Sequence, residues 1–144
     1  MPELTDKISS LVFTIQRQME ERIYRQKEMP LSITQIIALR YLESRVKIST
    51  MKELADFLGI TPPSATAIGD SLIRLALIKR LANKKDRRVV GIKITKKGKS
   101  ILKKAFIKML SLLKTEFNVL SKNEKKSLVK ILEKISRNKL SLNN

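Results

Sequence analysis

The sequence predicts a mainly α-helical fold that contains one small β-hairpin. Through most of the chain, apolar residues recur at every third or fourth position, which is the period of an amphipathic α-helix. The exception is a stretch with two short segments of strand-like composition, Ile78 to Ala82 and Val89 to Thr95. A polar, basic tip separates the two segments, so this stretch is typical of two strands joined by a charged loop.

The charge of the chain points to an anionic partner. With 144 residues and a hydrophobic fraction of 42%, the chain fits one folded domain with a single core. Its 31 lysines and arginines outnumber its 13 acids, which gives a formal net charge of +18. Residues 79–104 hold twelve of these cations and only one acid, Asp86. This excess favours nucleic acid as the partner over a membrane surface or an acidic protein.

Several residue types that enzymes need are missing from the sequence. It has neither cysteine nor histidine, which excludes disulfides, thiolate or imidazole metal sites and the commonest general base. Gly59, Gly69, Gly91 and Gly98 lie too far apart for a phosphate-binding loop, and no two acids form a convincing catalytic pair. We therefore predict that the protein is not an enzyme and uses no metal or cofactor.

No membrane segment is expected. The chain has no apolar run near the length of about 18 residues that a membrane span needs. Its first residues have neither the basic start nor the apolar stretch of a signal peptide. The sequence therefore predicts a cytoplasmic protein without a membrane partner.

Start and stop signals divide the first half of the chain into helices. An apolar stripe predicts a first helix from Leu4 to about Lys27, and Pro30 ends it because the residue before a proline avoids the α conformation. Ser32 and Gln35 have the spacing of a capping box, which predicts the start of a second helix.

The next two predicted helices have the spacing of a helix-turn-helix. Thr50 and Glu53 repeat the capping-box pattern and start a short third helix, which Gly59 closes. Thr61 then caps a fourth helix, which has Pro62 at its first position and runs to about residue 75. A plain α-hairpin in a helical bundle would have the same pattern, so these helices alone leave both interpretations open.

The basic hairpin that follows favours a winged helix-turn-helix fold. In such a fold one helix enters the major groove of DNA, and the hairpin reaches the phosphates or the minor groove. We therefore predict that residues 32–96 bind double-stranded DNA, with Ser64, Thr66 and Ala67 contacting base edges from the fourth helix. The predicted phosphate contacts are basic residues of the hairpin or residues at helix N-termini: Thr34, Gln35, Thr50, Lys52, Lys84, Lys85 and Arg87.

The last third of the chain is again helical, with a further capping-box spacing at Ser121 and Glu124. Its apolar stripes either complete the core of one chain or pack against a second copy. A homodimer is favoured, because long helices at both chain ends cannot easily bury their faces on a small core. We therefore predict that residues 1–28 and 97–144 form dimerisation helices. The residues expected to pack there are Leu4, Ile8, Leu11, Leu113, Phe117, Leu120, Leu128, Ile131, Leu132 and Ile135.

The hairpin sequence resembles that of a known family. Residues 86–90 and 94–98 read Asp-Arg-Arg-Val-Val and Ile-Thr-Lys-Lys-Gly, similar to the D-R-R…L-T-x-x-G wing signature of MarR-family transcriptional regulators. Thr66, Asp70 and Leu72 match positions along the recognition helix of that family. The resemblance implies a single domain over residues 1–144 that forms a homodimer and usually represses transcription. Such proteins often release DNA when a small aromatic or anionic ligand binds between the DNA-binding and dimerisation regions.

The same resemblance assigns roles to two wing residues and also shows departures. Arg88 would enter the minor groove and Asp86 would fix its direction, although Asp86 also suits a plain turn. Ala67 and Ser71 stand where family members often carry arginine. Ala76 stands where glycine usually closes the recognition helix. A left-handed alanine costs about 1 kcal/mol, so we expect a different turn there.

Two other functions stay open on the sequence alone. The uncharged recognition helix also suits an architectural DNA-binding protein of low specificity, and a basic winged helix can bind an acidic protein or RNA. Ligand binding has little direct support, because the residues that could line a cleft are expected in the core: Phe13, Tyr24, Ile37 and Tyr41.

Overall fold

The computed structural model of the protein describes residues 3–82, 85–86 and 88–138. Within these residues, six α-helices, one short 3-10 helix and three β-strands confirm the prediction of a mainly α fold with a small hairpin. The helices are α1 (Leu4–Tyr24), α2 (Ile33–Ser44), α3 (Met51–Leu58), α4 (Pro62–Arg74), α5 (Lys96–Lys114) and α6 (Lys122–Arg137). The strands are β1 (Ser49–Thr50), β2 (Ile78–Ala82) and β3 (Val90–Ile94), and the 3-10 helix is Thr115–Phe117.

Side chains cap the starts of the helices where the sequence predicts. At α2, the Ser32 hydroxyl accepts from the Gln35 backbone N–H at 3.2 Å, and the Gln35 amide oxygen accepts from the Ser32 N–H at 3.0 Å. The same reciprocal capping box forms at the starts of α3 and α6. Thr61 caps α4 with Pro62 in its first turn, where the missing N–H of proline has no partner to lose.

Helix α3 ends at Gly59, which has φ +65° and ψ +33°. Two hydrogen bonds close this end, from the Gly59 N–H to the Asp56 carbonyl at 3.2 Å and from the Ile60 N–H to the Ala55 carbonyl at 3.1 Å. This pair of bonds is a Schellman motif, and it requires the left-handed conformation that glycine adopts without a steric penalty.

Helix α4 ends in the same motif, but an alanine occupies the left-handed position. Ala76 has φ +59°, so the expectation of a different turn is wrong. The N–H of Ala76 bonds to the Ile73 carbonyl, and the N–H of Leu77 bonds to the Leu72 carbonyl, both at 2.9 Å. In addition, the Thr95 hydroxyl donates to the Ala76 carbonyl at 2.7 Å. These three bonds offset a conformational cost of about 1 kcal/mol.

The three strands form one antiparallel sheet in the order β1-β3-β2. Strands β2 and β3 form the predicted hairpin, with Ile78 opposite Ile94 and Ala82 opposite Val90. The sequence did not indicate β1, which has only two residues and pairs with Ile92 and Gly91 of β3. This third strand joins the hairpin to the region between α2 and α3.

The hydrophobic core lies between α2, α3, α4, the first half of α5 and the sheet. Leu39, Leu54 and Leu72 at its centre have no exposed surface. By contrast, α1 buries only Ile23, and α6 buries none of its residues. Phe13, Tyr24 and Ile37 are 62%, 89% and 43% exposed, so the expectation that they lie in the core is wrong. Tyr41 is partly buried and packs against the core, as expected.

Ion pairs connect α1 and the segment after it to α5 and the 3-10 helix. The Arg22 guanidinium of α1 lies 2.6 Å from the Glu116 carboxylate in the 3-10 helix. The Lys108 ammonium of α5 lies 3.1 Å from the Glu28 carboxylate, which follows α1. Polar contacts therefore help to position α1 although its apolar face stays exposed. No helix in the described residues is both long and apolar enough to cross a membrane.

Candidate nucleic-acid interface

The N-terminal half of α4 presents small polar residues to solvent. Ala65, Gly69 and Leu72 are buried, which fixes one face of the helix against the core. The three predicted base contacts lie elsewhere on the helix and are all exposed: Ser64, Thr66 and Ala67. This surface is therefore open enough to contact a DNA groove, and it carries no charge.

Hydrogen bonds within the first turns of α4 hold these polar groups in place. The Thr66 hydroxyl donates to the Pro62 carbonyl at 3.0 Å, and the Thr61 hydroxyl donates to that of Ser64 at 2.9 Å. Each hydroxyl keeps lone pairs that can accept a further bond. The surface thus offers fixed acceptors and methyl groups rather than long mobile side chains.

An ion pair joins α4 to the wing strand β2. One carboxylate oxygen of Asp70 lies 2.7 Å from the Arg80 guanidinium, and both side chains are about half exposed. The sequence identified Asp70 as a family match but gave no partner for it. The pairing could not be read from spacing, because the two residues meet only after the chain turns at Ala76 and Leu77.

A second set of contacts joins the C-terminal end of α4 to the start of α5. The Thr95 hydroxyl both donates to the Ala76 carbonyl and accepts from the Gly98 N–H at 3.0 Å. The Lys97 ammonium donates to the Leu75 carbonyl at 3.1 Å. A Cβ atom at Gly98 would overlap the carbonyl oxygen of Leu77, so only glycine allows α5 to begin this close to the turn. The Thr-x-x-Gly part of the wing signature therefore has a physical role at this joint.

The structure describes part of the wing tip. Lys84 and Arg87 lie outside the described residues, whereas Lys85, Asp86 and Arg88 are exposed. One carboxylate oxygen of Asp86 accepts from the backbone N–H of Arg88 at 3.0 Å. The Asp86 carbonyl also accepts from the Val89 N–H at 3.1 Å. Asp86 thus forms a turn. None of the six ion pairs within the described residues joins it to the Arg88 guanidinium.

Two lysines of the hairpin face each other across the strands. Lys79 of β2 is directly opposite Lys93 of β3, and both are exposed. Like charges in directly opposed positions destabilise a β ladder, and an anion between or above them removes that cost. The sequence showed a general excess of charge here, but only the strand register brings these two residues together.

The residues predicted to contact phosphates from other helix starts differ in availability. Thr34 and Lys52 are exposed. The Gln35 amide is occupied, since its oxygen caps α2 and its nitrogen donates to the Ser71 hydroxyl at 3.1 Å. The hydroxyl of Thr50 is likewise used in the capping box of α3. Ser71 therefore faces α2 and links the two helices.

The predicted dimerisation residues lie on surfaces that one chain leaves open. Leu4, Ile8 and Leu11 of α1 are more than half exposed. Leu113, Phe117, Leu120 and Leu128 are partly buried. The remaining three lie on one side of α6 and are about half exposed or more: Ile131, Leu132 and Ile135. Within the described residues, no group of three or more acids is placed to hold a metal ion.

The fold and this surface define a winged helix-turn-helix DNA-binding protein. The sequence model of the MarR family matches residues 29–89. A crystal structure described as a MepR-like protein complexed with pseudoligands is 31% identical, covers 94% of each chain and has a TM-score of 0.62. The protein therefore belongs to the MarR family of DNA-binding transcriptional regulators.

Two more distant solved structures show the same fold. Apo MarR from E. coli is 22% identical, with a TM-score of 0.73 over 94% of this chain and 98% of that one. MepR from Staphylococcus aureus, a regulator of the multidrug efflux pump MepA, is 21% identical. Its TM-score is 0.73, over 90% of this chain and 96% of that one. A search of curated proteins gave no match.

Proposed function

We propose that the protein is a homodimeric repressor that binds palindromic double-stranded DNA and releases it when a small aromatic or anionic effector binds. The observation that carries this proposal is the joint placement of α4 and the wing. An exposed, uncharged helix start and a basic hairpin are held together by the Asp70–Arg80 ion pair and by the contacts of Thr95. Because chromosomal DNA is the proposed target, the protein is expected in the cytoplasm.

In the proposed complex, α4 enters the major groove. The hydroxyls of Ser64 and Thr66 can donate to or accept from base edges, and the methyl groups of Thr66 and Ala67 suit the thymine methyl. No arginine is present on this surface to bind guanine with two hydrogen bonds. The base readout is therefore expected to be modest, and to favour A·T pairs.

The wing is expected to supply much of the affinity. We place the Arg88 guanidinium in the minor groove, because a narrow A·T-rich groove concentrates negative potential and guanidinium loses hydration easily. Asp86 would then exchange its backbone contact for one that aims Arg88. Phosphate contacts from Lys84, Lys85 and Arg87 would add an attraction that does not depend on sequence.

The exposed apolar faces of the terminal helices support the proposed homodimer. Contiguous exposed apolar surface on a soluble chain usually marks an interface. A second copy can cover the same face on both chains by two-fold symmetry, as palindromic sites require. The crystal structure of the MepR-like relative contains pseudoligands, which supports the proposal of an effector for this chain.

A low-specificity architectural role is the second candidate, because the recognition surface is uncharged while the chain carries a net charge of +18. The deciding experiment is competition binding between a palindrome from the protein's own promoter and random DNA, at two salt concentrations. A regulator should prefer the palindrome by at least about 10³-fold. An architectural protein would lose both DNAs equally as salt rises, because counterion release dominates its binding. No binding to duplex DNA would leave an acidic protein or RNA as the partner.

A pair of wing substitutions tests the role of Arg88. Arg88→Ala should weaken palindrome binding by about 1–3 kcal/mol, with the oligomeric state unchanged, if the side chain reads the groove. Lys84→Ala, which removes a neighbouring charge, should cost less and act alike on palindromic and random DNA. Equal small losses for both variants would reduce Arg88 to a general charge.

A further inference from the structure

The first turn of α5 carries its charge at the unfavourable end of the helix. Lys96, Lys97 and Lys99 lie there, and the same turn has no acid. The N-terminus of a helix bears a partial positive charge, so a lysine at this end lowers helix stability unless its ammonium lies elsewhere. All three side chains are exposed. The stability of α5 itself therefore does not account for these lysines.

Lys97 differs from its two neighbours because its ammonium reaches back to α4. The Lys97 Nζ atom donates to the carbonyl oxygen of Leu75, the residue that follows α4, at 3.1 Å. A cation is favourable at a helix C-terminus, where the partial charge is negative. In the part of the chain that the structure describes, the side chains of Lys96 and Lys99 make no hydrogen bond or ion pair. Of these three lysines, only Lys97 is therefore tied to the proposed recognition helix.

The carbonyl of Leu75 depends on Lys97 for a partner within the protein. The Schellman bonds at the end of α4 use the carbonyls of Leu72 and Ile73, and no backbone N–H among the described residues bonds to that of Leu75. Lys97 thus satisfies a carbonyl that the helix end leaves unpaired. The next residue, Ala76, has the left-handed φ of +59°, which carries strain. The bond to Leu75 therefore helps to keep the strained end of α4 in one conformation.

The proposed base contacts of α4 depend strongly on where the helix lies. Ser64, Thr66 and Ala67 have short side chains that cannot extend to follow a shifted base edge, and a hydrogen bond weakens steeply outside a narrow range of distance and angle. Leu75 lies nine residues after Thr66, which is about 13 Å along a helix. Lys97 therefore affects these contacts through the placement of α4 and not by sharing them.

We propose that Lys97 is a positioning residue that sets the sequence preference of the DNA-binding surface. Its ammonium fixes the C-terminal end of α4, whereas the neighbouring lysines of α5 add an attraction that all DNA sequences share. The fixing of α4 rests only on the geometry above. The effect on sequence preference rests also on the proposed function, because it requires α4 to read base edges.

The test is competition binding of the full chain to two DNAs: a duplex that the wild-type chain selects from a random library, and a duplex of scrambled sequence. Lys97→Gln should lower the preference for the selected duplex by about three- to fivefold, which corresponds to the contribution of a cation at an exposed helix C-terminus. Lys96→Gln is the matched control, because it removes the same charge from the adjacent exposed residue, and it should weaken binding to both DNAs alike. Lys97→Arg keeps the cation and its donors and should restore most of the preference.

A second measurement needs no DNA. NMR spectra of the free chain should show shifted backbone amide signals for Ala76 and Leu77 in Lys97→Gln, and unshifted signals for both in Lys96→Gln. Unshifted signals in Lys97→Gln would overturn the proposal that this lysine fixes the end of α4.

The binding results separate this inference from the proposed function. An unchanged preference in Lys97→Gln, or an equal loss in Lys96→Gln, would overturn the role of Lys97 in sequence preference. A loss that Lys97→Arg does not restore would overturn the role of its cation. A wild-type chain that prefers no DNA sequence would instead contradict the proposed function, and the NMR comparison would still decide whether Lys97 fixes α4.

Discussion

The central region of the chain and its terminal helices differ in how much of their apolar surface is buried. Between Leu31 and Ala105, the buried apolar side chains of α2, α3, α4, α5 and the sheet pack into one core. In α1 and α6 they stay mostly exposed, and α6 buries no residue at all. The difference indicates that contacts within one chain account for the central region, and the exposed faces of the terminal helices are the surfaces that the proposed homodimer would cover.

The largest expected effect tests whether the central region is stable through contacts within one chain. Leu72→Ala removes a side chain with no exposed surface and should lower the free energy of unfolding by about 2–5 kcal/mol, because it leaves a cavity. Leu75→Ala is the matched control, since Leu75 lies one turn further along and is 45% exposed. Urea denaturation measures both. Similar losses of unfolding free energy in the two variants would show that side-chain burial within one chain does not determine the stability of this region.

A second substitution tests the terminal helices. Ile131→Ala removes apolar surface from α6 and should raise the dissociation constant of the proposed dimer at least about tenfold, since tenfold corresponds to about 1.4 kcal/mol. Sedimentation equilibrium measures this constant. Lys130→Ala changes the adjacent exposed residue and should have little effect. A wild-type chain that is monomeric at all concentrations would contradict the proposal that the exposed apolar faces form a dimer interface.

A third prediction concerns the two matched helix ends within the central region. Gly59 and Ala76 both have φ near +60° in Schellman motifs, so exchanging their residue types should have opposite effects. Ala76→Gly should raise the free energy of unfolding by about 1 kcal/mol, and Gly59→Ala should lower it by a similar amount. Thermal and urea denaturation can measure both changes. A loss of stability in Ala76→Gly would show that the left-handed alanine carries no strain.

The smallest expected effect lies at the start of α6. Hydrogen bonds from the backbone and side chain of Ser121 lower the pKa of Glu124 below its ordinary value. A lowered pKa means that the ionised form stabilises the helix start, and this stabilisation is lost as pH falls through the lowered pKa. An NMR titration of the Glu124 carboxyl should show the low pKa. Ser121→Ala removes the hydroxyl but keeps the backbone N–H, which is the larger cause, so it should raise the pKa only part of the way. A return to the ordinary pKa in that variant would contradict the larger role of the backbone N–H.

The parts of the fold that sequence reasoning predicted depend on local interactions. The capping boxes at Ser32, Thr50 and Ser121 join residues three apart, and all three are present. The two strands of the hairpin were likewise visible as adjacent segments. Each of these features uses residues that are close in the chain, so composition and spacing were sufficient to find them.

The features that sequence reasoning missed depend on residues that are distant in the chain. The bond from Gln35 to Ser71 joins residues 36 positions apart, and Arg22 to Glu116 spans 94. The conformation of Ala76 was predicted wrongly because local preference disfavours it, while the hydrogen bond from Thr95, 19 positions away, adds to two local bonds that stabilise it. For the proposed DNA-binding surface, the sequence located exposed residues of α4 but not the ion pair that joins α4 to the wing.

The joint at Thr95 has a mechanical consequence. Helix α5 has 19 residues and starts at this joint, so it extends about 28 Å from the end of α4. A rigid rod of that length works as a lever: a tilt of about 5° moves its far end by about 2.5 Å. Small rotations of α4, the proposed recognition helix, would therefore become displacements of nearly half a helical turn at the far end of α5. The Thr95 hydroxyl lies at the point about which α5 would tilt, because it bonds to Ala76 just after α4 and to Gly98 in the first turn of α5.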